Sequence, residues 1–82
     1  MANATAVNVW CDDSNLWLAL ADGRQLSVPL AYFPRLLRAS PEQRARWRLI
    51  GDGRGVHWED LDEDLSVAGL LRGAGDLTSS NR

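Results

Sequence analysis

Residues 51–73, GDGRGVHWEDLDEDLSVAGLLRG, bring turn, aromatic, acidic and helix-start signals into one short module, and its reading decides the fold. Gly51, Gly53 and Gly55 each disfavour helix continuation by about 1 kcal/mol relative to alanine, so a chain entering this stretch turns. Trp47, Leu49 and Ile50 predict a strand before that turn, which leads to Val56-His57-Trp58. Past the acidic residues, Ser66 or Asp64 stands where a helix cap is wanted, Val67, Leu70 and Leu71 form the helix's apolar residues, and Gly73 marks its end. Strand and helix thus alternate closely here.

Upstream, Ser40-Pro41-Glu42-Gln43 has a cap serine, a proline at the first helical position and a glutamine two further on, a capping-box pattern. It predicts a short helix from Pro41 to about Trp47. Pro34, in AYFPRLLRAS, suits the first turn of another brief helix. Between Val7 and Leu30 the apolar residues alternate with a period of two, broken by turn clusters at Asp12-Asp13-Ser14-Asn15 and Asp22-Gly23. That pattern predicts a three-stranded meander with Val7, Val9, Cys11, Leu16, Leu18, Leu20, Leu26, Val28 and Leu30 on the core face. Asp22-Gly23 supplies the positive backbone angles of a tight hairpin, and Pro29 closes the third strand or lies at an edge. The expected fold class is α+β: a small antiparallel sheet, a three-stranded meander plus a fourth strand, with two or three short helices. Residues 1–74 read as one domain and 75–82 as a flexible polar tail.

At 82 residues the chain buries only roughly 60% of its unfolded surface, so any function must fit on one small exterior. Its net charge is -2, with the negative charge bunched at residues 59–64. That balance lacks the basic footprint of a nucleic-acid binder, so no direct nucleic-acid binding is expected. All nine basic residues are arginine, which suits planar carboxylate or phosphate contacts, although a GC-rich genome explains it equally. Cys11 is the only cysteine, which excludes an internal disulfide and a cysteine-based zinc site. With no leader-like N-terminus and no run approaching ~20 apolar residues, a cytoplasmic location is expected and no membrane partner.

Several motifs invite chemistry and then fail it. Gly51-Asp52-Gly53-Arg54-Gly55 lacks the Gly-Lys-Ser/Thr ending and the glycine spacing of phosphate loops, so it reads as a tight turn. Asp60-Leu61-Asp62-Glu63-Asp64 begins like a calcium loop, but Leu65 and Leu71 occupy the positions that need glycine and a bidentate glutamate. Acidic residues ahead of a helix favour its positive end and stay solvated, which is the simpler reading. His57, the sole histidine, has no nucleophile with a motif around it. No catalytic, cofactor-binding or metal-ligating residue is assigned. By parity Trp10 and Trp17 fall on the sheet face opposite the core set and form a candidate partner surface, unless a helix or the tail covers them. Arg24, Arg35 and Arg38 contribute to it if they lie nearby.

The combination Asp22-Gly23-Arg24, Val28-Pro29-Leu30, Phe33-Pro34-Arg35-Leu36, Ser40-Pro41-Glu42 and residues 51–73 resembles an uncharacterised bacterial family, domain of unknown function 2442. The resemblance implies an α+β fold of a small antiparallel sheet with short helices, and no established activity. Members look like stand-alone proteins or a module fused to a helix-turn-helix domain, often encoded beside another small protein in a toxin–antitoxin-like arrangement. The chain is expected to stop where such a fused domain would begin, so that domain's DNA-binding role is not expected here.

The expected function is accordingly a non-enzymatic protein-binding module, the antitoxin-like or regulatory member of a small bacterial pair. Trp10 and Trp17 would be apolar anchors, and Glu59, Asp60, Asp62, Glu63 and Asp64 an acidic patch for a partner protein with a basic surface. The alternative is an acidic phage-type inhibitor of a bacterial defence complex, such as a CRISPR complex, that occupies a nucleic-acid-binding groove. A third class, an enzyme using His57, lacks a supporting nucleophile, metal set or cofactor loop.

Overall fold

A computed structural model of the chain describes residues 4–73; the expected tail, 75–82, lies outside them. The period-two alternation becomes β1 (Ala6–Cys11), β2 (Asn15–Leu20) and β3 (Gln25–Pro29), an antiparallel meander in the order β1-β2-β3. Asp12 shapes the first hairpin: its Oδ1 accepts from the backbone N–H of Ser14 at 2.9 Å and of Asn15 at 2.7 Å. In the second hairpin only Gly23 takes a positive φ, at 95°, and the Arg24 carbonyl closes the loop by accepting from Leu20 N–H at 2.8 Å. Pro29 ends β3, as a residue without a backbone donor should.

One core assignment fails. Ala6 pairs with Leu20 and Asn8 with Ala19, so Val7 is the extra residue of a β-bulge. The bulge shifts the parity: Val7 is 58% exposed, and Ala6 takes the buried place. Leu30 is buried as expected, but on a 3-10 turn, Leu30–Tyr32, rather than on the strand.

Two short helices follow, α1 (Pro34–Leu37) and α2 (Pro41–Arg44), each with proline in its first turn. The capping box on α2 is complete: Ser40 Oγ accepts from Gln43 N–H at 3.1 Å, and Gln43 Oε1 accepts from Ser40 N–H at 3.0 Å. α2 stops short of Trp47, because Trp47 is drawn into strand pairing opposite Trp58. The Arg44 guanidinium then folds back to donate to the Leu36 and Leu37 carbonyls, both at 2.8 Å, satisfying the open end of α1.

The expected fourth strand forms as β4 (Trp47–Ile50), but it opens a second antiparallel sheet with β5 (Gly55–Trp58) and β6 (Glu63–Ser66), in the order β4-β5-β6. Ser66 caps the closing helix α3 (Val67–Leu71), its Oγ accepting from Gly69 N–H at 2.8 Å. Among the described residues the architecture is α+β, with two three-stranded antiparallel sheets and three short helices.

Both sheets turn their apolar faces into one core. Val9, Leu16, Leu18 and Val28 come from the first; Val56, Trp58 and Leu65 come from the second; Phe33, Leu36, Val67 and Leu70 come from the helices and their flanks. Trp58 is fully buried, and its indole N–H donates to the Arg44 carbonyl at 3.0 Å, so its one polar atom is satisfied. Gly53 joins the β4–β5 turn to β1: a Cβ there would lie 2.7 Å from the Ala6 carbonyl oxygen.

Candidate functional site

With the core faces of both sheets spoken for, exposed chemistry sits on their outer faces. On the first sheet Trp10 and Trp17 are direct cross-strand partners. Their rings are parallel, with an interplanar angle of 2° and centroids 6.0 Å apart, an offset stack. Trp10 is 37% exposed and Trp17 half-buried, so the pair presents aromatic surface to solvent. Asp12 fixes it from one end, its Oδ2 accepting from the Trp17 indole N–H at 2.9 Å. The backbone N–H of Ser14 and the Trp17 indole together hold the Asp12 carboxyl below its usual range.

Beside Trp10 lies a cleft of about 260 Å³ lined by Trp10, Cys11, Asp12, Asp13, Arg44 and Trp47. Burial pushes the Cys11 thiol above its ordinary 9.0, so at neutral pH it is a thiol and not a nucleophilic thiolate. The Arg44 guanidinium is committed to the α1 carbonyls. Asp13 stands exposed at the cleft's rim, leaving an aromatic wall with carboxylate at its edge.

On the second sheet the register aligns Arg48, His57 and Asp64 in one row across β4, β5 and β6. His57 Nδ1 is hydrogen-bonded to Asp64 Oδ1, and Nε2 lies 3.1 Å from Glu59 Oε1. Arg48 Nη2 reaches the same Glu59 oxygen at 3.3 Å. The Asp64 hydrogen bond is the main cause raising the His57 pKa above its ordinary 6.5; partial burial opposes it and Glu59 adds to it.

The residues expected to form one solvated acidic patch are therefore dispersed. Glu63 is 2% exposed, on the inner face of β6 with Leu65, and Arg35 Nη1 lies 3.6 Å from its Oε1. The solvated reading is corrected at this position, because strand parity carries Glu63 inward. Asp60 is paired with Arg46 at 2.7 Å, Glu59 with Arg48 and His57, and Asp64 with His57. Asp62 is exposed in the left-handed conformation that turns the chain into β6, and its carbonyl accepts from Arg35 at 2.6 Å.

Trp10 and Trp17, by contrast, are brought together as parity implies. Arg24 is engaged with Asp22 at 2.8 Å and Arg35 with the Asp62–Glu63 segment, so neither stands as a free cation at the tryptophan pair. Sequence reasoning missed Asp12 as the anchor of Trp17 and Arg48 as a neighbour of His57. Asp12 was legible as a turn acid; Arg48 needed the β4–β5 register.

The glycine-rich segment is a tight turn: Gly51, Asp52 and Gly53 take φ of 59°, 58° and 92°, and strand β5 follows rather than a helix. Among the described residues no cluster of three or more His, Cys, Asp or Glu side chains is arranged to hold a metal ion. No helix among them is long and apolar enough to cross a membrane.

Comparison with known proteins places residues 6–76 in a match to the family described as Protein of unknown function (DUF2442). Among solved structures, the chain is similar to a crystal structure of a protein of unknown function from Rhodospirillum rubrum, with 30% identity, 90% of this chain and 92% of that chain covered, and a TM-score of 0.79. It is also similar to the solution NMR structure of an uncharacterised protein from Chromobacterium violaceum, at 31% identity over 84% of this chain and 65% of that one, with a TM-score of 0.72. No curated protein matched.

Proposed function

The chain belongs to the DUF2442 family, and on that premise we propose that it is a non-enzymatic protein-binding module, the antitoxin-like or regulatory member of a small bacterial gene pair. The observation that supports this reading is the stacked Trp10–Trp17 pair on the outer face of the first sheet. Large rings held parallel by their own hairpin keep little rotamer freedom, so a partner that covers them meets a preorganised apolar anchor. Asp13 at the rim adds negative charge beside an aromatic face, a combination suited to an arginine or lysine side chain laid over Trp10. The partner in this reading is a protein with a basic segment.

The acidic run plays a smaller part than its composition suggests. Arg35, Arg46 and Arg48 pair with Glu63, Asp60 and Glu59 within the chain and His57 is hydrogen-bonded to Asp64, so the run is not a bare polyanionic surface. That weighs against the inhibitor reading, in which the acids occupy a nucleic-acid-binding groove. Titrating an arginine-rich peptide into the labelled protein tests the proposal. Chemical-shift changes centred on the Trp10 and Trp17 indole signals and the Asp13 amide, weakening with added salt, are expected. Changes confined to the second sheet, or none at millimolar peptide, would refute it.

A further inference from the structure

The two nitrogens of His57 both face carboxylates, and simple valence decides what that arrangement requires. An ionised carboxylate only accepts hydrogen bonds, whereas neutral imidazole carries one N–H and one lone pair. With Nδ1 on Asp64 and Nε2 on Glu59, both contacts are satisfied only when the ring is imidazolium. In the neutral ring one nitrogen lone pair must face a carboxylate oxygen, and that contact is repulsive.

The two carboxylates are not held equally. Asp64 sits directly opposite His57 in the β5–β6 ladder, so sheet pairing fixes its place. Glu59 belongs to the 3-10 turn Glu59–Leu61, its side chain is 74% exposed, and its Oε1 also contacts Arg48. We propose that His57 is a proton-operated clasp: as imidazolium it ties Glu59, at the start of the β5–β6 connection, to Asp64 on β6, and on losing its proton it releases Glu59 while keeping Asp64.

The charged groups facing the ring fix the direction of the switch. From β6 and the turn, Asp64 and Glu59 favour the proton; from β4, Arg48 opposes it; the Arg46–Asp60 pair bridges the residue before β4 to the same turn. Geometry and the raised pKa of His57 agree that the clasp is closed below 6.5. Opening it takes the set Arg48, His57, Glu59 and Asp64 from zero net charge to one negative charge and leaves the exposed Glu59 carboxylate held by Arg48 alone. The clasp is on the second sheet, apart from the tryptophan surface on the first.

An NMR pH titration of the full chain tests it. The expected result is a His57 midpoint above 6.5, with the Glu59 side-chain carbon and the amides of residues 59–62 moving at that same midpoint. Glu59→Gln should lower the midpoint, and Asp64→Asn should lower it further. A wild-type midpoint at or below 6.5 would overturn the proposal, as would a connection whose signals stay flat through the His57 transition.

Discussion

Asp12 and His57 respond to pH in opposite senses, and the sign of each follows from what the folded chain offers it. Asp12 has a folded pKa below its ordinary 3.8, so its contribution is complete above 3.8 and is lost as pH falls through the folded value. His57 has a folded pKa above 6.5, so its contribution is complete below 6.5 and is lost as pH rises through the folded value. Urea midpoints measured across pH should therefore decline on both sides; Asp12→Asn should flatten the acid arm and Asp64→Asn the alkaline arm. A second residue-scale prediction separates two glycines of like conformation. Gly23 and Gly53 have φ of 95° and 92°, but nothing lies within 4 Å of a Cβ at Gly23, whereas at Gly53 it meets the Ala6 carbonyl at 2.7 Å. Alanine at Gly23 should cost about 1–2 kcal/mol for backbone strain alone, and alanine at Gly53 measurably more. Equal losses in urea unfolding would mean that the turn is not pressed against β1.

The elements that the sequence announced are those whose signals are local. The meander was legible because each hairpin carries its own turn residues, Asp12 to Asn15 and Asp22-Gly23, and because Leu16, Leu18 and Leu20 alternate cleanly. α2 was legible from its cap, and Ser40→Ala should lower stability by about 1 kcal/mol in thermal or urea unfolding. What was hidden depends on pairing between distant residues. The bulge at Val7 exists only relative to Leu20 and Ala19 on β2. β6 consists of Glu63-Asp64-Leu65-Ser66, and acids are depleted in strands, so its Glu63/Leu65 inward parity passed as a helix approach. The site followed the same division. Trp10 and Trp17 were found by parity within one hairpin, whereas the Arg48–His57–Asp64 row required the register of three strands.

For the molecule as a whole, the shared core makes the two sheets one thermodynamic unit. Trp58 lies at 0% exposure in a cluster fed by both sheets, so Trp58→Ala should cost about 3–5 kcal/mol and destabilise both sheets together. Fluorescence and far-ultraviolet circular dichroism should report coincident unfolding transitions. Split transitions would mean that the sheets fold separately. With the interior occupied by that core, the chemistry left for function is on the exterior, and among the described residues the Trp10–Trp17 stack is a preorganised apolar feature there. Substitution at those two positions removes outward-facing rings and leaves the core set untouched, so the folded state should survive it. Affinity capture from extracts of the native host, comparing the wild-type chain with the Trp10→Ser/Trp17→Ser variant, tests whether the stacked tryptophans hold a partner. The wild-type chain should retain a protein partner that the folded double variant loses; the same partner retained undiminished by that variant would rule the tryptophan pair out as its anchor.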